Sequence, residues 1–520
     1  MTARVVTPLH QAALHEQAGR SASAEKAYKK ALQADPNNRD GYRLMSGFYA
    51  RRGKLDQAEA VLRRGIARTG NDAGLRVDLG TLYQQTGRPD DAAETYRAVL
   101  AEHPDHAAAL TNLAGLSFLT GAYEDGLAAA EEACRVAPDH PAPHSNRGNL
   151  LAALGRFDAA DDAFARALAL DPDHADARAN HANHLKNSGR IEAAHDAYRD
   201  GVQRFRHDPR FAFGLALTSL GTGDLATGWA CYEAGFATGD RVPDRRRAAN
   251  DWFGGDLAGK TLLIWPEQGL GDELLFASCL PDLRRALPDT RIILECDSRL
   301  LSIYQQSFPF LTVVQEDGTN VREVDAQAPI GRLPGLFRQQ IANFGSPEAY
   351  LLPDKGKSDA MAAHLADLPA GRKIGISWRS GLVTQNREHG LTDLDDWAEL
   401  LSAPGIVPVN LQYGDVDAEL EDFQSRHGIT IHRVPDLDLR DDLDGVFGLI
   451  ANLDCVVNVG TSIMGMAGAL GAHQHVLLRE QEWITLGTDG LPWFANATVH
   501  QRKVSDNWEK ALESVRSSLV

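Results

Sequence analysis

The residues best suited to chemistry lie in three loops. The stretch WPEQGLGDELL (265–275) runs from an apolar segment, Thr261 to Ile264, into a helical pattern. Gly269 and Gly271 permit a tight turn there, and Asp272 follows them. A carboxylate so placed can take a proton from a hydroxyl group; it can also simply cap the helix that follows. A second stretch, NVGTSIMGMAGALG (458–471), follows another apolar run and opens a helix at Thr461 or Ser462. Backbone N–H groups at a helix start attract anions such as phosphates. Gly460 admits close approach, and Thr461 and Ser462 add hydroxyl donors. Small residues at Gly465, Ala467, Gly468 and Ala469 keep that helix slim. The third stretch, SWRSGLVTQNREHG (377–390), offers Arg379 and Arg387 as positive charge.

These loops need a frame that brings them together. From about residue 257, short apolar runs (TLLIW, RIILEC, LTVVQ, KIGISW, VPVNLQ, DCVVNVG) alternate with helical patterns. That alternation predicts parallel sheets covered by helices. Its length suits two α/β units, 257–350 and 351–520, with YLLPDKGKS (350–358) as the hinge. Ligands bind in such folds at the carboxyl ends of the strands. The expectation is that Asp272 and the Thr461 helix face each other across one cleft.

The first half of the chain is periodic. Glycine stands at 19, 53, 87, 121, 155, 189 and 223, each 34 residues after the last. Small residues follow at Ala24, Ala58, Ala92, Gly126, Ala160, Ala194 and Gly228. Mostly bulky ones follow at Tyr28, Leu62, Tyr96, Ala130, Phe164, Tyr198 and Tyr232. This is the tetratricopeptide pattern of two short helices per unit, and it predicts an α-solenoid over residues 9–240 with a linker at 241–256. The first helices build the concave face of such a solenoid. Asn112, Asn146 and Asn180 recur at 34-residue spacing there, with Asn149 and Asn183 three residues on. Asparagine amides both donate and accept, so the rows suit the backbone of an extended peptide. His181 and His184 stand three apart, but no third ligand is suitably spaced, and no metal is expected.

Bulk properties narrow the field. The 520 residues carry a formal net charge of −18, which disfavours nucleic acid as a partner. Five cysteines are scattered without CxxC spacing, which fits reduced thiols. The opening residues show no apolar signal core, and no apolar run reaches the ~18 residues of a membrane span. The expected location is the cytoplasm, with no transmembrane segment. Gly269 and Gly271 also begin a dinucleotide fingerprint, but Leu274 fills its third glycine position.

The runs LAGKTLLIWPEQGLGDELLFA and AGALGAHQHVLL resemble glycosyltransferase family 9, the heptosyltransferase-like enzymes of the GT-B fold, joined to tetratricopeptide repeats. VNLQYGD (409–415) and LGTDGLPWF (486–494) are weaker matches. The resemblance implies two Rossmann-like domains, the first on the acceptor side and the second on the donor side. It implies Asp272 as catalytic base of a metal-independent, inverting transfer, with a nucleotide sugar as co-substrate and no tightly bound cofactor. The donor would be held by Ser377, Trp378, Arg379, Arg387, Gln412, Gly460, Thr461, Ser462 and Met466. Some relatives of this architecture glycosylate flagellin, which makes a protein Ser or Thr the expected acceptor. One departure stands out: Gly460 and Gly465 replace an Asp and a His of the donor helix. A wider pocket for a bulkier sugar, such as a nonulosonic acid, would follow. A non-catalytic repeat adaptor and a lipid-sugar transferase are the competing expectations.

Overall fold

The computed structural model describes residues 7–245, 249–316, 324–345, 348–380, 392–504 and 506–519. The chain divides into two compact units, Met1–His181 and Ala182–Val520.

The first unit is made of paired helices. The pairs begin with Pro8–Gln17 and Ser21–Ala34, and continue through Pro141–Ala153 and Phe157–Leu170 to the helix Ala175–Asn187, in which the unit ends. The glycine predicted between the two helices of each pair has positive φ, 69° at Gly53 and 80° at Gly121, a conformation that costs other residues energy. The small residues Ala24, Ala58, Ala92 and Ala160 are fully buried, as are Tyr96 and Phe164. Close approach explains further glycines. A Cβ at Gly148 would lie 2.8 Å from the Phe164 ring, and one at Gly80 would lie 2.5 Å from Tyr96.

A second column of residues sets where the first helices start. Asn38, Asp72, His106 and His140 stand 34 apart, and each side chain accepts a backbone N–H of the first turn. His174 continues the column, its Nδ1 accepting from Ala177 N–H at 3.2 Å. Such caps contribute about 1 kcal/mol each, and they give several of the histidines in this half a structural task.

The second unit opens with the last helices of the repeat pattern, among them Pro209–Thr222 and Leu225–Tyr232, followed by the short helix Ala234–Thr238. Two five-stranded sheets follow. The first contains β1 (Asn250–Asp251), β2 (Thr261–Trp265), β3 (Arg291–Cys296), β4 (Thr312–Gln315) and β5 (Ala326–Pro329), in the order β1-β5-β2-β3-β4. The second contains β6 (Arg372–Ser377), β7 (Ile406–Asn410), β8 (Cys455–Val459), β9 (Gln474–Arg479) and β10 (Ala497–Arg502), in the order β10-β9-β8-β6-β7. Every pairing among the described strands is parallel. Central strands buried on both faces read as continuous apolar runs, as LLI in β2 and CVV in β8 do.

Three sequence expectations about boundaries change here. The expected 241–256 linker is anchored at points, although residues 242–244 and 253–256 are exposed. Arg241 is wholly buried, Trp252 is 5% exposed, and Asn250–Asp251 form β1. The 350–358 stretch is anchored at several points. Tyr350 and Leu351 donate their N–H groups to Ala469 O, the Tyr350 hydroxyl donates to Leu274 O at 2.7 Å, and Lys357 pairs with Asp442 at 2.8 Å. The division of the chain into compact units falls within the repeats, after His181, and not at residue 240.

Candidate functional site

The loop after β2 and the loop after β8 converge. Leu270–Ala277 forms an eight-residue helix whose N-cap is Gly269, with no side-chain cap. Ser462–Ala469 forms a second eight-residue helix whose N-cap is Thr461, likewise without a side-chain cap. A Cβ at Gly271 would sit 3.5 Å from Ser462 Cα, and one at Gly465 would sit 3.3 Å from Leu274 Cβ and 3.4 Å from Gly271 O. The two helix starts therefore touch, glycine to backbone. Two uncapped starts concentrate partial positive charge and free N–H groups at one place.

Asp272 lies in the first turn of its helix and not at the N-cap, so the capping role expected of it falls to Gly269. It is half-buried. Burial pushes the Tyr232 phenol well above its usual range, and the Asp272 charge adds to that effect. The acid is thus within electrostatic reach of a residue from the last repeat helix. Thr461 is half-buried, and its hydroxyl has no hydrogen-bond partner among the described residues. Ser462 is half-buried beside it and Gly460 is exposed. Gly269 has open space around it, and a Cβ at Gly271 would make only ordinary contact with the Ser462 backbone.

Other expected donor residues serve the scaffold instead. Gln412 Oε1 accepts from Ser377 Oγ at 3.2 Å, Trp378 N–H at 3.1 Å and Arg379 N–H at 3.0 Å. One amide oxygen thus staples the end of β6 to the end of β7. Ser377, Trp378 and Gln412 are essentially buried, so they do not present side chains to a ligand. The Trp378 indole N–H donates to Glu419 at 3.0 Å, and Arg379 pairs with the same carboxylate at 2.5 Å. Arg379 keeps a third of its side chain exposed. Met466 is 2% exposed and belongs to the core. Arg387 lies outside the described residues. Gly465 does not widen a pocket, because Leu274 and Gly271 occupy the space a side chain would take.

The asparagine rows are partly spent between repeats. Asn112 donates to Thr81 Oγ1 at 3.1 Å, Asn146 to Thr111 O at 2.9 Å, and Asn180 to Ser145 Oγ at 3.1 Å. Each bond reaches back to the first helix of the preceding repeat. Asn183 accepts from the Tyr198 hydroxyl at 2.6 Å, and Asn149 is half-buried.

Sequence reading missed the buried pair beneath the Asp272 loop. Arg241 makes two hydrogen bonds to Glu267, and neither side chain meets solvent. Glu267 also accepts from Gly331 N–H at 2.9 Å. Next to it, Gln268 adopts φ 60°, a rare conformation for a non-glycine residue. Glu273, the neighbour of Asp272, is 4% exposed, and burial pushes its pKa up to about 8. Nothing local marks these residues, since partners of Arg241 and Gln268 lie 26 and 36 positions away. Among the described residues, no group of three or more His, Cys, Asp or Glu is placed to hold a metal. No described helix is long and apolar enough to cross a membrane.

Comparison with known proteins bears on the helical half. Tetratricopeptide repeat families match residues 16–76, 77–141, 141–174 and 179–234. The N-terminal part of this chain is built of tetratricopeptide repeats. Among curated proteins, FlbA of Caulobacter vibrioides is 31% identical over 323 residues, covering 59% of this chain and 54% of FlbA. The chain thus spans about half the length of that relative. Among solved structures, a tetratricopeptide repeat protein from Parabacteroides merdae is 16% identical with a TM-score of 0.38, covering 45% of this chain and 92% of that one. MamA from Desulfovibrio magneticus is 18% identical with a TM-score of 0.28, covering 32% of this chain and 95% of that one.

Proposed function

We propose that this chain is a protein glycosyltransferase of the GT-B type, moving a sugar from a nucleotide-activated donor to a Ser or Thr hydroxyl of a flagellin-like protein. The observation that carries the reading is the meeting of the Asp272 and Ser462 helix starts at the carboxyl ends of two parallel sheets. Asp272 takes the proton of the acceptor hydroxyl. The oxygen attacks the anomeric carbon from the opposite face, and the nucleotide leaves with the electrons of the broken bond. Its phosphate charge falls to the free N–H groups of the Ser462 helix and the unpaired Thr461 hydroxyl. Along the repeats, Asn112, Asn146 and Asn180 keep their amide oxygens for the backbone N–H groups of a bound chain, their nitrogens being engaged between repeats.

A second reading, a repeat adaptor whose α/β part only supports it, draws on the same helix contact. Leu274 and Gly271 take the space beside Gly465 that a wider donor pocket would need there. The deciding experiment is the intact mass of flagellin-like proteins from cells with this chain, without it, and with Asp272→Asn. Transfer predicts a sugar-sized mass that disappears in both altered strains, while nucleotide-sugar binding survives in the variant. Unchanged masses in all three, with no nucleotide-sugar binding, uphold the adaptor.

A further inference from the structure

We propose that Tyr232, a seam residue of the last repeat, is a positioning residue for the loop that carries Asp272; the inference rests on the transfer reading above. The seam residue Tyr96 packs against Gly80 on the first helix of its own repeat, and Tyr198 packs against Gly214 on the first helix of the next. Tyr232 holds the same register but has no further repeat to pack on. It is 2% exposed and lies 6.2 Å from the Phe276 ring, on the Asp272 helix, and 6.1 Å from Trp483. Its hydroxyl accepts from Gln268 Nε2 at 2.8 Å.

That bond falls where the loop is strained. Gln268 sits at φ 60°, a strained conformation that a non-glycine residue keeps only where its surroundings hold it there. Two contacts do so: the side-chain bond to Tyr232, and the bond from Gln268 N–H to Val242 O at 2.7 Å. Arg241 secures the same corner, stacking 4.3 Å over the Tyr232 ring, donating to Tyr232 O at 3.1 Å and pairing with Glu267. Gln268 is followed at once by the Gly269 cap. Its conformation therefore sets the direction in which the helix leaves and where Asp272 points. The repeat array thus supplies a structural part of the reaction centre as well as a surface for substrate.

The test uses the full chain with Tyr232→Phe, which keeps the buried ring and removes only the acceptor oxygen, and Gln268→Gly, which adopts positive φ without strain. Amide hydrogen exchange at 269–273 is expected to quicken about fivefold to tenfold in Tyr232→Phe, the loss of one hydrogen bond. Turnover is expected to fall about 10- to 100-fold while KM for the donor stays unchanged. Losses in the double variant should fall well short of the product of the single losses, because both changes remove one bond. Unchanged exchange in the loop, or multiplicative losses, overturns the proposal. If the unaltered chain transfers no sugar, the transfer reading fails by itself, and exchange alone decides the clamp: quickening upholds it and no change overturns it.

Discussion

Glu273 is a carboxyl one residue beyond the candidate base, and burial is the main reason its pKa rises to about 8. The charges of Asp297 and Glu316 push it further up, whereas the Asp297 backbone N–H and the Arg245 guanidinium pull it down. Among the described residues, one of its oxygens meets no hydrogen-bond partner, and neither does the hydroxyl of buried Tyr304. Burial therefore favours the protonated form of Glu273 in the folded protein. Because its folded pKa lies above the unfolded value near 4.5, its contribution to stability is complete below that value and is lost as pH rises through about 8. Glu273→Gln should remove this dependence. Urea denaturation at steps from pH 5 to 8 should show the unaltered chain losing stability against the variant by about 1 kcal/mol per pH unit. Parallel curves would mean that Glu273 titrates normally. The helix start beside Asp272 was legible in the sequence, because loop glycines ahead of an apolar run are local signals. The special state of Glu273 was not, since a charge on an amphipathic pattern reads as solvent-facing until the opposing layer is known.

At the level of elements, the contact between the Asp272 and Ser462 helices depends on having no side chain at Gly465. Two short helices starting at one point need this closeness, and a larger residue must push Leu274 or the Gly271 backbone aside. Gly465→Val should destabilise the second unit by about 1–3 kcal/mol, measured as a lower denaturation midpoint with the far-ultraviolet dichroism of the native state kept. A neutral result would mean that the helices stand further apart than described. The sequence showed that the small residues keep this helix slim, but not that Leu274 and Gly271 are the neighbours at Gly465. The repeats were far more legible, because seven glycines in one register carry a signal that no single motif can match. The paired role of the asparagines was hidden, since the hydroxyls and carbonyls that receive them sit 31–35 residues away. Ser377, Trp378 and Gln412 show the opposite failure. A polar residue at the carboxyl end of a strand suggests a ligand, yet here the three residues complete one another's hydrogen bonds.

For the whole molecule, the decisive boundary is the one inside the repeats. Leu220, Leu225, Trp229 and Tyr232 share a single core with Leu262, Phe276 and Trp493. Trp229 stacks edge-on against Trp493 at 6.3 Å and donates its indole N–H to Arg338 O at 3.2 Å. A Cβ at Gly221 would lie 2.7 Å from Gln481 O. The last repeat is therefore an internal part of the α/β unit. Cutting the chain at the expected linker should fail for that reason. Residues 241–520 would expose the faces of Phe276, Trp483 and Trp493 that Trp229 and Tyr232 now cover. Losing aromatic partners of this kind costs about 3–5 kcal/mol each, against a total stability of about 5–15 kcal/mol for a typical fold. The expected product is aggregated or loosely packed, with weak near-ultraviolet dichroism and strong binding of a hydrophobic dye. Residues 171–520 keep the helices Ala175–Asn187, Ile191–Arg204, Pro209–Thr222 and Leu225–Tyr232, and should melt cooperatively. A well-folded 241–520 fragment would show that the repeats are a detachable module, and a loosely packed one that the α/β half is built around their final turn.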